Sequence, residues 1–373
     1  MKKIPYLPLI TLAGLITLSG CKKDKTTDPE PETPTTPVYT IPSTYNFSNA
    51  NFTSSSQRIE MLGELTTYIR STHTTTQATQ PTLTSATLKN MFANSGNPFS
   101  NQTLNASGIQ LKDKTSAAFQ AILESTFDDA VPASTFAASN PTASTASSGV
   151  RGKLVSPTRA ILVDANGFEY KEFAEKGIMG ALFYYQASAI LSAIGDFDNN
   201  VIVNGATAQE SAWDEAFGYF GVPVAFPTVT VGLKNWGSYC NSVNVAINSN
   251  TTIMNAFLKG RAAISNKDNT ARDEARNAVL ATWEKVGAAK CISYLKGAKS
   301  NLSDAATLHH NLSEGYGFVS GFKYNPSKTI SDADINILLG YFGTNLFNLN
   351  VTNLDLAIAK LESVFGLNAA IIP

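Results

Sequence analysis

The chain has 373 residues, with 28 Lys or Arg against 29 Asp or Glu and a formal charge of −1. A charge this balanced provides no basic field to neutralise phosphates, so nucleic acid is excluded as a partner. Only 15% of residues are charged, and the length suffices for one large or two modest domains with real cores.

The first element is an address. Lys2 and Lys3 precede an apolar run, 4–18, that Pro5 and Pro8 interrupt, too short and broken to span a bilayer. It closes on Leu18-Ser19-Gly20-Cys21, which resembles the bacterial lipobox. The resemblance implies that 1–20 is a signal peptide and that Cys21 becomes the first mature residue, carrying diacylglycerol on sulfur and an acyl chain on its amino group. Several acyl chains hold a protein to a bilayer far better than one. Lys22, rather than aspartate, follows the cysteine, and similarity to lipoprotein sorting signals then implies the outer membrane.

Residues 21–50 contain Pro29, Pro31, Pro34, Pro37 and Pro42 among Thr, Asp and Glu and read as a tether. At roughly 3.1 Å per residue, some twenty extended residues reach about 60 Å. The folded body is expected over 51–373 from about Ser54, with 222–250 as the place where two halves would meet. Ile59, Leu62, Leu65 and Ile69 predict a helix over 58–69, after which His73 lies in a Thr-rich stretch and is expected to be exposed. The low-complexity run 132–149 fits a loop or an Ala-rich helix.

Phe183, Ala187, Ile190, Leu191 and Ile194 form one stripe of a long helix beginning near Phe168 and ended by Gly195-Asp196. Glu169, Glu172 and Glu175 stand at its start, where the helix dipole favours carboxylates without any ligand. Asp196, Asp198 and Asn200 imitate a calcium loop, but Val201 and Thr207 occupy the places of its glycine and bidentate acid. The only extended stretch predicted is 222–231, and its two prolines argue against a central strand. A second long helix is expected from an N-cap at Thr270, with Asp273 in the capping-box position, to about Gly297; Ser303 is expected to cap the next. Cys240 and Cys291 fit either a disulfide or two buried thiols. The expected fold class is mainly α and bundle-like. Gly218-Tyr219-Phe220-Gly221 recurs as Gly340-Tyr341-Phe342-Gly343, which a duplicated helical unit would explain.

Two constellations could carry chemistry. Glu210, Asp214 and Glu215 surround Trp213, and carboxylates on one inward helical face can hold a metal, although a solvated acidic face beside a buried Trp213 is the favoured account of them. His309, His310 and Glu314 form the better local site: His310 and Glu314 are one helical turn apart, so imidazole and carboxylate could ligate one ion or pair with each other. There is no His-Glu-x-x-His helix, no phosphate-cradling glycine loop and no Gly-x-Ser-x-Gly elbow.

Three stretches carry a wider resemblance: Gly167-Phe168-Glu169-Tyr170 leading to 176–187, Trp213 to Gly221, and Leu312-Ser313-Glu314-Gly315-Tyr316-Gly317-Phe318. They resemble a family of Bacteroides-type lipoproteins built on a domain of unknown function. More distantly, a helical exported lipoprotein with a His/Glu helix is similar to the imelysin-like proteins, duplicated helical bundles associated with iron uptake and once labelled peptidases. Their Gly-x-His-x-x-Glu motif is absent here. The first reading is therefore a non-catalytic, lipid-anchored binding protein of the outer membrane. It would take iron or another divalent metal beside an outer-membrane transporter, with His309, His310, Glu314, Trp213, Asp214 and Glu215 as contacts. A metallohydrolase using the same residues is the alternative. A structural or glycan-contacting accessory using Trp213, Tyr184, Tyr185 and Tyr219 is the third reading, although such aromatics are more often core.

Overall fold

Where helices start in this chain is decided mostly by short polar side chains that take up the free N–H groups of a first turn. The computed structural model describes residues 39–75 and 80–373, so the lipobox and the tether up to residue 38 lie outside the described residues. Its first helices are α1 (Thr53–Arg70), α2 (Ser85–Ala93), α3 (Gln102–Asn105) and α4 (Ala117–Ala138). Thr84 and Asn101 cap α2 and α3. The low-complexity run is divided: α4 continues through Pro132 to Ala138, and the rest is turn and loop.

A hairpin of β1 (Gly152–Val155) and β2 (Ala160–Val163) follows, paired antiparallel with Gly152 opposite Val163. The alternation was too short to betray it, and every residue of β2 is buried. Next come α5 (Tyr170–Ile178), a π-helical segment over Met179–Tyr184 and α6 (Tyr185–Ser192). The expected single long helix is thus interrupted. A π segment frees carbonyls from the regular ladder, and outside donors take two of them: Trp236 Nε1 donates to Met179 O at 3.1 Å and Ser116 N to Ala181 O at 2.8 Å.

A two-residue pair, β3 (Ile202–Val203) with β4 (Ala206–Thr207), leads into α7 (Ala208–Gly218). Thr207 and Glu210 form a capping box there, so Glu210 begins the helix as its N3 residue. The stretch 222–231 makes turns, as two residues lacking N–H donors would dictate. The remaining helices are α8 (Asn235–Ile247), α9 (Ser249–Ser265), α10 (Asn269–Ser300), α11 (Ala305–Gly321), α12 (Asp332–Phe342) and α13 (Val351–Phe365). Asp268 and Asp304 cap α10 and α11, where Thr270 and Ser303 were expected; each offers a carboxylate to the N–H three residues on.

The described residues are mainly helical, with only these two small sheets. Residues Tyr39–Pro373 form one compact unit. α10 packs on α9 and α11, and α11 on α5. One apolar cluster runs from Tyr45 to Ile372, so ordered packing begins before Ser54. Tyr45 stacks on Phe217 with ring centres 3.7 Å apart. Cys240 and Cys291 are both buried free thiols, and no described helix is long and apolar enough to cross a membrane.

Candidate functional site

On α11, His310, Glu314, Gly317 and Gly321 follow at steps of four, three and four and so share one face. Along the preceding element, Glu169, Glu172, Lys176 and Gly180 follow at steps of three, four and four. The two stripes meet. Their glycine ends permit close approach: a Cβ on Gly180 would lie 2.7 Å from Gly321 Cα. At the other end this brings charges together away from water, with Glu169 and Glu172 each 1% exposed, Lys176 2% and Glu314 4%.

His310 Nδ1 lies 2.8 Å from Glu169 Oε2 and 3.6 Å from Glu172 Oε1, while its Nε2 is 3.8 Å from Glu314 Oε1. Lys176 Nζ is 2.8 Å from Glu172 Oε2 and 2.9 Å from Glu314 Oε2, although the latter oxygen receives no aligned hydrogen bond. Lys171 Nζ stands 2.6 Å from Glu172 Oε1 and 2.5 Å from Glu175 Oε2. His73, expected on an exposed loop, lies inside. Its Nε2 accepts from Leu162 N at 3.4 Å, so Nδ1 carries the proton and faces Glu169 Oε1 at 3.8 Å.

These positions set the protonation states. Burial alone would raise the Glu172 carboxyl, but Lys176 and Lys171 hold it well below the usual range. Burial and the neighbouring Glu172 push Glu314 up to about 8, so it carries a proton at neutral pH. Burial works against a charged His310, yet Glu169 and Glu172 outweigh it and raise the imidazole. His73 is pushed down to about 4 by burial and is neutral. Four carboxyl groups, Glu169, Glu172, Glu175 and Glu314, thus meet the ammonium groups of Lys171 and Lys176, with Lys290 also close enough to feel Glu314, and the proton held on Glu314 and the raised imidazole of His310 both act to offset the crowding of negative charge.

The donor set suits a small cation. Ligand atoms of Glu169, Glu172 and His310 all lie within 4.8 Å of one another, wider than the separation of about 3 Å between neighbouring ligands around an ion with bonds near 2.1 Å, so the three side chains would close inward on binding. Lys171 would have to leave Glu172 Oε1, and Glu175 is placed to retain it. Glu175 also lines a groove of about 820 Å³ with Glu60, Glu64, Arg70, Lys234 and Ser238, so a way in from solvent reaches the edge of the centre.

Of the residues singled out from sequence, His310 and Glu314 are in this centre. His309 points elsewhere, Nδ1 2.9 Å from Gly167 O and its ring 4.4 Å from that of Phe347, because its neighbour on the helix faces a different direction. Asp214 and Glu215 belong to other networks. Asp214 Oδ1 accepts from Arg261 Nε at 2.9 Å and Tyr45 OH at 2.8 Å, while Glu215 accepts from Tyr219 OH at 3.1 Å. Trp213 and Tyr219 are each 0% exposed, and the Trp213 indole donates to Phe257 O. As core side chains they present no face to a ligand. Sequence reasoning missed Glu169, Glu172, Lys176 and His73; two matching stripes, each carrying charge at one end and glycine at the other, were the available signal.

Fold and site together define a helical-bundle protein with a buried acid–histidine centre. The chain belongs to the family of the domain of unknown function DUF4856, which matches residues 42–344. Comparison with curated proteins and with solved structures returned no match.

Proposed function

We propose that this chain is a lipid-anchored, non-catalytic binding protein of the cell envelope that holds a divalent cation at the Glu169, Glu172 and His310 centre, with Glu314 beside it. The observation that carries the reading is the convergence of Glu169, Glu172 and His310, whose ligand atoms lie within 4.8 Å of one another with both carboxylates 1% exposed. A divalent ion there would offset the negative charge that the raised His310 and Glu314 now relieve by holding protons. The resemblance to imelysin-like lipoproteins favours iron as the cation, and the lipobox favours retention at the outer membrane beside a transporter. Burial of the ligands behind Glu175 favours holding an ion over turning over a substrate, which supports binding ahead of metallohydrolysis.

The test is loading of the mature, unlipidated protein with Fe(II) or Zn(II), followed by metal analysis and by titration in two buffers of different ionisation enthalpy. One ion per chain with release of protons is expected, lost in His310→Ala and in Glu169→Gln. Equal metal content in wild type and both variants would overturn the reading. Membrane fractionation tests the anchor separately.

A further inference from the structure

Beside the glycine end of the charged stripe, where Gly177 of α5 and Gly317 of α11 border it, the rings of Phe119, Phe168, Phe173, Tyr316 and Tyr324 surround a recess of about 170 Å³. An apolar cavity of about 150 Å³ takes up one benzene ring, so this recess fits a single six-membered ring with a small substituent. Its walls are set as such a ring requires. Phe168 and Tyr316 meet edge to face at 4.8 Å, and Phe119 and Tyr324 at 6.2 Å, leaving ring edges and faces for an inserted aromatic.

The polar groups are few. Tyr316 and Tyr324 line the recess half-buried, and Lys323 is the one charged side chain among the described lining residues. Ser313 and Ser320 also border the recess, but their hydroxyls already donate to His309 O and Gly317 O. Two phenols and one ammonium cannot replace the water bonds of a sugar ring with a hydroxyl on nearly every carbon, and each unreplaced bond would cost affinity. They do match a ring bearing one acidic group.

We propose that this recess is a binding site for a small monocyclic aromatic acid, its ring between Phe119, Phe168, Phe173 and Tyr316 and its carboxylate met by Lys323 and Tyr324. This inference does not depend on the cation centre.

The probes are benzoate, phenol and methyl glucoside, followed by calorimetry and ligand-observed NMR on the mature protein. Benzoate should bind with one-to-one stoichiometry. Lys323→Met, a change at an exposed side chain, should weaken benzoate roughly tenfold while leaving phenol nearly unchanged. Ser320→Trp, which fills the recess, should abolish both. Absence of saturable benzoate binding, equal binding by wild type and Lys323→Met, or preference for methyl glucoside would each overturn the proposal.

Discussion

Gly317 is seated so closely on Lys176 that a Cβ at the glycine would lie 2.3 Å from the lysine Cβ. The contact fixes how far Lys176 reaches toward Glu314. Gly317→Ala must therefore part α5 from α11, and overpacking of this kind costs about 1–3 kcal/mol. Gly340, in an exposed part of α12, has open space at its Cβ position; Gly340→Ala should stabilise by about 0.5–1 kcal/mol. Thermal unfolding of the two variants side by side checks both the sign and the contrast.

Stability should fall as pH rises from about 6.5 to about 8. The folded chain holds a proton on Glu314 up to about 8, whereas an unfolded glutamate releases it near 4.3, so over that span the native state binds more protons. His310, also raised, acts in the same direction above its unfolded value, and its contribution is lost as pH passes its folded value. His73, pushed down to about 4, acts oppositely but only below about 6.5. Denaturant midpoints of metal-free protein across this window should decline in wild type and decline less in Glu314→Gln. An equally steep decline in the variant would remove Glu314 from the account.

Arg261 is buried between Asp214 and Glu210, at 2.9 Å and 2.7 Å. Asp214→Asn would leave Arg261 with Glu210 as its one carboxylate partner of the two and remove a charged acceptor of the Tyr45 hydroxyl, so it should cost about 1–3 kcal/mol. Its affinity for a divalent cation should match that of wild type, because Asp214 belongs to this network and not to the His310 centre. Calorimetric unfolding and metal titration of the same sample separate the two effects.

Cys21→Ser should release the protein from the membrane fraction and abolish incorporation of labelled palmitate, since one thiol bears the expected diacylglycerol. Membrane association unchanged in this variant would show that Leu18-Ser19-Gly20-Cys21 is not the anchor signal.

The helical class was legible because Ile59, Leu62, Leu65 and Ile69, and later Val279, Trp283 and Val286, repeat at the spacing that buries one face. Caps were read one or two residues off, since Asp268 and Thr270 both suit an N-cap and only the packed helix selects between them. The hairpin 152–163 was invisible because its strands are short and β2 is buried throughout, which removes the alternation. The site was half legible. His310 and Glu314 announced themselves by their one-turn spacing, but Glu169 and Glu172 looked fully explained by the helix dipole. Nothing local says that a stripe 141 residues away will cover them.

The π segment gives one continuous rod two unrelated fronts. Each helical residue turns the chain by about 100°, so a wider turn at Met179–Tyr184 puts α6 out of phase with α5. α5 looks toward α11 and the charges, and α6 toward α7. Removing one residue there would restore regular hydrogen bonding and also swing Glu172 and Lys176 by about 100° relative to the stripe that ends at Ile194. Regularity and the centre exclude each other in this helix. Trp236 and Ser116, by holding the Met179 and Ala181 carbonyls, keep the irregular state the folded one.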